Sequence, residues 1–201
     1  MIRQIAKVQF EARYKAMLEE AIAQDGLIAM AVLAPGWEND YEGRPSIQSM
    51  ACLCKVATHH QTSEGTYNVL MVGLKRIEVV RELPPDKSFR EAEVRILHDE
   101  YPEGTGIDRL DCQRKLLQLF KQVLPRLPEG SDQLESLLGQ QIPLGMLTDI
   151  IAYTLDLPLE FKLLLLAQPN VDIRVQRLFD YLSTVGVDTT GREFPPPFSS
   201  N

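Results

Sequence analysis

Four side chains able to ligate a metal or act as nucleophiles fall within nine positions of one another: Cys52, Cys54, His59 and His60. Thiolates beside imidazoles are the raw material of zinc sites and of nucleophilic catalysis. Their spacing argues against both. Structural zinc sites favour a knuckle with two to four residues between the cysteines, whereas this pair is separated by one. On a strand, residues two apart share a face, and buried thiols there serve as small apolar fillers. His59 and His60 read as decoration of a solvated turn, and His98 stands alone. A small metal-dependent protein using Cys52, Cys54 and His59 remains the enzymatic alternative, but the reading adopted assigns no metal, no cofactor and no catalytic residue. The phosphate-loop pattern GxxxxGK followed by Ser or Thr, the GxSxG elbow, HExxH and CxxC are all absent, and Gly104-Thr105-Gly106 lacks the rest of a dinucleotide fingerprint. The acidic pairs Asp99-Glu100 and Glu19-Glu20 read as solvated faces or helix-dipole partners.

The other residues with recognition chemistry are aromatics. Trp37 and Tyr41 sit in a Gly-, Asn-, Asp- and Pro-containing loop, Trp37 to Pro45, where an aromatic either folds back on the core or meets a partner. With Tyr67 and Met71, which suit adaptable peptide binding, they form the expected substrate-binding set.

The elements that must hold these residues follow from periodicity. Tyr14, Met17, Leu18, Ala21 and Ile22 recur at helical spacing, so Phe10 to Gln24 predicts an amphipathic helix stopped by Gly26. Gly26 to Leu33 predicts a strand, and Ser46 to Ala57, Thr66 to Val72 and Leu74 to Glu82 predict a three-strand meander with a turn at Glu64-Gly65 and a break at Gly73. Glu91 to Leu97 alternates as a further strand. Five or six short strands after one helix predict a small barrel. Past the Pro/Gly loop Tyr101 to Gly106, the pattern becomes helical: Ile107 to Leu124, a short helix capped by Ser131 or Asp132 and ended by Gly139, then Leu144 to Leu155, Leu159 to Ala167 and Val171 to Val185, the last capped by Asn170. Helices this short need one another, which predicts a bundle. The expected division is a β-rich part over 1–103, a helical bundle over 104–185 and a tail over 186–201 with three consecutive prolines.

Composition narrows the classes. With 21 basic and 28 acidic residues the net charge is -7, which disfavours broad binding to phosphate backbones. No apolar run approaches the roughly 18 residues of a membrane span. Arg3, Gln4, Lys7 and Gln9 interrupt any secretion-signal block, and three cysteines suit reduced thiols, so the expected location is the cytoplasm.

Three segments, in order, resemble the amino-terminal domain of Lon-type ATP-dependent proteases. Phe10-Glu11-Ala12-Arg13-Tyr14, continuing through Met17 to Gly26-Leu27-Ile28, is similar to that family's F-E-x-R-Y helix and following strand. Tyr67-Asn68-Val69-Leu70 with Gly73-Leu74-Lys75-Arg76 is similar to its G-x-x-R hairpin. Leu147-Thr148-Asp149 through Ala152, Leu155, Lys162, Leu165 and Val171 to Arg177-Leu178 is similar to its helical close. The resemblance implies an α+β fold, a PUA-like pseudo-barrel followed by a helical bundle. It also implies a non-catalytic module that recognises unfolded or degron-bearing polypeptides, either for a protease or in self-association. The ATPase and Ser-Lys peptidase parts of that family have no counterpart in these residues. RNA binding, which PUA-like folds often support, is the rival implication, opposed by the acidic balance. One departure stands out. The family opens with a P-L-F-P-L strand, where this chain offers Met1 to Gln9; either the start lies upstream or the strand is replaced, and a missing strand would leave a sheet edge open to an extended peptide or a second copy.

Overall fold

The computed structural model of the chain describes residues 3–8, 12–41, 43–63, 65–123 and 142–184. The helix expected after Ser131 and the tail 186–201 lie outside these residues. The chain forms two compact units, divided between His98 and Asp99.

The first unit is a five-stranded antiparallel sheet with one helix. Its strands are β1 (Arg3–Val8), β2 (Leu27–Leu33), β3 (Ile47–Gln61), β4 (Tyr67–Glu82) and β5 (Ala92–Leu97); helix α1 spans Ala12–Ala23. Strand order is β1-β4-β3-β2, with β5 also on β4. Because β3 occupies one side of β4 from Tyr67 to Glu78, β1 and β5 share the other side in succession, along Tyr67–Val72 and Arg76–Glu82. The strand position left open between an upstream start and a replacement is filled by the chain's own residues: Arg3–Val8 covers the β4 edge in register with Val72–Tyr67. Gly73 does not break the chain either: β4 runs through it, and the expected meander is one long hairpin. A β-bulge between Leu53 and Cys54 accommodates this glycine, where a Cβ would lie 3.2 Å from Cys52 Sγ. The hairpin closes at Thr62–Thr66, with Gly65 at φ 80° and Thr62 N donating to Thr66 O at 2.8 Å.

Helix α1 buries Leu18 and Ala21 against Ile28, Cys54, Val69 and Met71, which is the core of the unit. It ends where Gly26, at φ 67°, donates to Ala21 O at 2.7 Å, a left-handed stop that other residues resist.

The second unit contains α2 (Arg109–Val123), α3 (Leu144–Thr154), α4 (Leu159–Leu166) and α5 (Val171–Thr184). Asp108 caps α2 by accepting from the backbone N–H of Leu110 and Asp111, both at 3.0 Å. Asn170 caps α5 through Ile173 N at 3.2 Å, as its sequence position predicts. Leu116 and Phe120 of α2, Leu147 and Ile151 of α3, and Val171 and Leu178 of α5 are all fully buried. Burial of such side chains, each worth roughly 1.5–3 kcal/mol, is what holds these short helices in shape. Arg174 lies inside this apolar core with no side-chain exposure, bonded to Asp99 at 2.6 Å and Asp149 at 3.2 Å. Arg109 clasps Asp172 with two N–H donors, both at 2.8 Å. A buried guanidinium is tolerable only with such partners.

Candidate functional site

In the first unit a groove of about 690 Å³ opens between α1, strand β2 and the segments before β3 and β5. Small residues, Ala29 and Ala31 of β2 and Ala92 of β5, are among those that line it. Apolar walls come from Met17, Leu33, Ile47, Val79, Leu83 and Phe89. The volume falls in the usual range for ligand sites, and the combination of apolar lining and polar rim is the usual composition of one.

One rim is aromatic and cationic. The Arg13 guanidinium lies 5.2 Å from the Tyr14 ring centre and 5.1 Å from that of Tyr41, and both terminal nitrogens donate to Tyr41 O at 3.5 Å. Trp37 meets Tyr41 edge-on at 5.6 Å, completing a run of rings and charge from Trp37 to Tyr14. Gly36, at φ 88°, lets the chain enter the single turn Trp37–Asp40 that carries this pair.

The opposite rim is strapped by ion pairs. Lys87 donates to Glu20 at 2.5 Å and Glu91 at 2.8 Å, tying the segment before β5 to α1. Arg90 donates to both oxygens of Glu82 and, at 2.6 Å, to Pro45 O, tying the same segment to the one before β3. The Arg90 hydrogen bond is the main reason Glu82 is held below the ordinary carboxylate range, against a burial effect of opposite sign. Lys87 is pushed above its ordinary range chiefly by its bonds to Glu20 and Glu91. These groups are still about a third open to solvent, which screens them, so their value lies in fixing the rim rather than in large stabilisation.

Of the residues singled out from sequence, Tyr41 lines the groove and Trp37 packs beside it. Tyr67 is half-buried against the α1 core and donates to Glu19 at 3.3 Å; burial, followed by the Glu19 charge, raises its hydroxyl above the ordinary range. Met71 is 5% exposed and belongs to that same core beneath α1. The structure therefore brings Trp37 and Tyr41 together, and Tyr67 and Met71 together, in different places. Sequence reasoning about the site missed Arg13, Tyr14, Phe89 and the alanines; only Arg13 and Tyr14 carried a signal, inside the F-E-x-R-Y segment.

The cysteine and histidine cluster does not assemble. Cys54 Sγ lies 3.7 Å from Cys52 Sγ, and the hydrogen bond to Cys52, with burial, drives the Cys54 thiol far upward, away from reactivity. His59 and His60 are exposed farther along β3. Among the described residues no group of three or more His, Cys, Asp and Glu side chains is placed to hold a metal. Among them, too, no helix is long and apolar enough to cross a membrane.

A sheet with one packed helix, followed by a helical unit, is the architecture of Lon amino-terminal domains. The N-terminal domain of the Mycobacterium avium complex Lon protease superposes with a TM-score of 0.66 at 17% identity, covering 91% of each chain. The Lon N-terminal domain protein of Xanthomonas campestris gives 0.59 at 16%, covering 90% of this chain and 88% of that one. The chain belongs to the family of the ATP-dependent protease La (LON) substrate-binding domain, which matches residues 3–184. Among full-length relatives, Lon protease 2 of Myxococcus xanthus is 24% identical over 170 residues, 84% of this chain and 20% of that protein. Lon protease 1 of Bacillus subtilis is 24% identical over 166 residues, 83% of this chain and 21% of that protein. The chain thus spans about a fifth of the length of these relatives.

Proposed function

We propose that the chain is a non-catalytic polypeptide-recognition module that holds unfolded or degron-bearing segments in the groove of its β-rich part. The groove itself carries this reading: an open apolar trough with an aromatic and cationic rim suits side chains of varied shape. Membership of a substrate-binding family supports it. On this reading the sheet is a PUA-like pseudo-barrel and the helices form a bundle, with functional parts over 1–103 and 104–185 and a tail over 186–201. The module works in the cytoplasm, for a protease or in self-association. Trp37 and Tyr41 meet the bound segment directly, while Tyr67 and Met71 act from below by seating α1.

The test is fluorescence anisotropy with a labelled, reduced and carboxymethylated protein as a permanently unfolded probe. Wild type is expected to bind it, and Tyr41→Ala or Trp37→Ala to weaken binding by about tenfold or more, the usual range for buried interface aromatics. Failure of wild type to bind at low salt would remove the proposal.

A further inference from the structure

Among the described residues strand β2 is an edge of the sheet, as are β1 and β5, which each pair only with β4; of these three edges β2 is the one whose central residues, Ala29 and Ala31, line the groove. It pairs with β3, and among the described residues no strand lies on its other side. The backbone pattern identifies which groups face outward. Val56 N donates to Gly26 O at 2.8 Å, and Ala34 N donates to Ser46 O at 2.7 Å, so the pairs at both ends of the β2–β3 ladder are hydrogen-bonded ones. Such pairs alternate with non-bonded pairs in an antiparallel ladder. Counting from Gly26, Ile28 and Met30 direct their N–H and C=O toward β3, while Leu27, Ala29 and Ala31 direct theirs away. Leu27 corroborates the count: its N–H bonds to Asp25 Oδ1 at 3.0 Å, outside the ladder. Ala29 and Ala31 are left with outward-facing backbone groups, and both residues line the groove.

We infer that an extended polypeptide segment adds to β2 as a sixth strand, bonding to the backbone of Ala29 and Ala31 while alternate apolar side chains drop into the groove. This deepens the proposed recognition function and rests on it, assigning the contact to main-chain pairing rather than to side chains alone. Backbone donors and acceptors in strand geometry specify an extended peptide as the occupant, because only that chemistry complements them in register. These alanines add a preference. A second copy pairing β2 antiparallel on β2 through these residues would place Ala29 opposite Ala31, and methyl groups would leave a groove of about 690 Å³ largely empty. A segment carrying Phe, Leu or Val at alternate positions fills it.

The probe is a labelled nine-residue peptide alternating threonine with valine, phenylalanine at its centre and lysine at both ends, titrated into the full chain. A series N-methylated at single positions is titrated in parallel. Strand addition predicts a parity signature: methylation at every second amide weakens binding by about tenfold or more, and methylation at the intervening amides leaves it unchanged. On the protein side, Ala29→Pro removes an N–H that the ladder does not use, so the fold persists and binding falls by about tenfold. Should that variant melt abnormally, the methylation series on wild type decides alone. Loss of affinity in Tyr14→Ala without any parity signature would overturn strand addition and leave the groove reading intact. No binding of peptide or unfolded protein by wild type would overturn both. A wild-type dimer dissolved by Ala29→Pro would make a second copy the occupant and overturn the peptide.

Discussion

Replacing Gly145 by alanine gives a quantitative test of the polar core in the helical unit. Gly145 occupies the first turn of α3, and a Cβ there would lie 2.0 Å from Asp99 Oδ2 and 2.9 Å from Arg174 Nη2. The Asp99 side chain, as the freer group, must swing away, and its 2.6 Å bond to Arg174 goes with it. Arg174 keeps Asp149 at 3.2 Å but has no solvent to replace what it loses. A hydrogen bond between ionised groups is worth about 1.5–3 kcal/mol, and better helix propensity returns at most about 1 kcal/mol. The net cost of about 0.5–2 kcal/mol lowers the melting temperature of a unit of this size by about 2–16 °C. Calorimetry on Gly145→Ala measures this. Repeating the substitution in an Asp99→Ala background isolates the cause, because the 2.0 Å obstruction is then gone and only the 2.9 Å approach to Arg174 Nη2 remains, so the cost becomes clearly smaller than in wild type. Equal destabilisation in both backgrounds would place the cost in the backbone and refute the argument, as would an unchanged melting temperature in the wild-type background.

Three further outcomes are expected. Phe120→Ala, which empties a fully buried site in α2, destabilises by about 3–5 kcal/mol in urea denaturation. The Glu82–Arg90 strap responds to acid: because Glu82 titrates below its ordinary value when folded, its stabilisation is complete above the unfolded glutamate range near about 4.3 and disappears as pH falls through the lower folded value. Melting temperature therefore drops on acidification through that window, and Glu82→Gln flattens the dependence. Cys54 and Cys112, both raised, resist iodoacetamide at about pH 8 until the chain is unfolded, as mass spectrometry of the alkylated protein will show.

The elements were largely legible because their signals are local. The spacing of Tyr14, Leu18 and Ile22 marks α1, and Asn170 marks the start of α5. Signals failed where tertiary context overrode local chemistry. Gly73 reads as a breaker, yet a bulge opposite it carries β4 straight through. The run Thr58-His59-His60-Gln61 is too polar to read as strand, yet it pairs with Leu70 to Tyr67 as the hairpin continues, its own residues exposed although Val69 opposite His59 is buried. Arg3–Val8 has no clean alternation and becomes a strand only because β4 offers an edge. The groove was least legible of all. Its Tyr14, Ala31, Tyr41 and Phe89 come from separate segments, and no spacing rule links them.

The continuous β3–β4 hairpin bears on the order in which the molecule acquires its structure. Its two long strands meet across a turn of a few residues, so their pairing closes short loops and forms early, whereas β1 must reach β4 from some sixty positions away. Strand β4 is then the template on which β1, β3 and β5 all register. Truncating Ile77, buried beneath that template, should slow folding, and weakening the β1 contact should chiefly hasten unfolding. The strand that seals the β4 edge is in this sense the last to arrive and the first to leave.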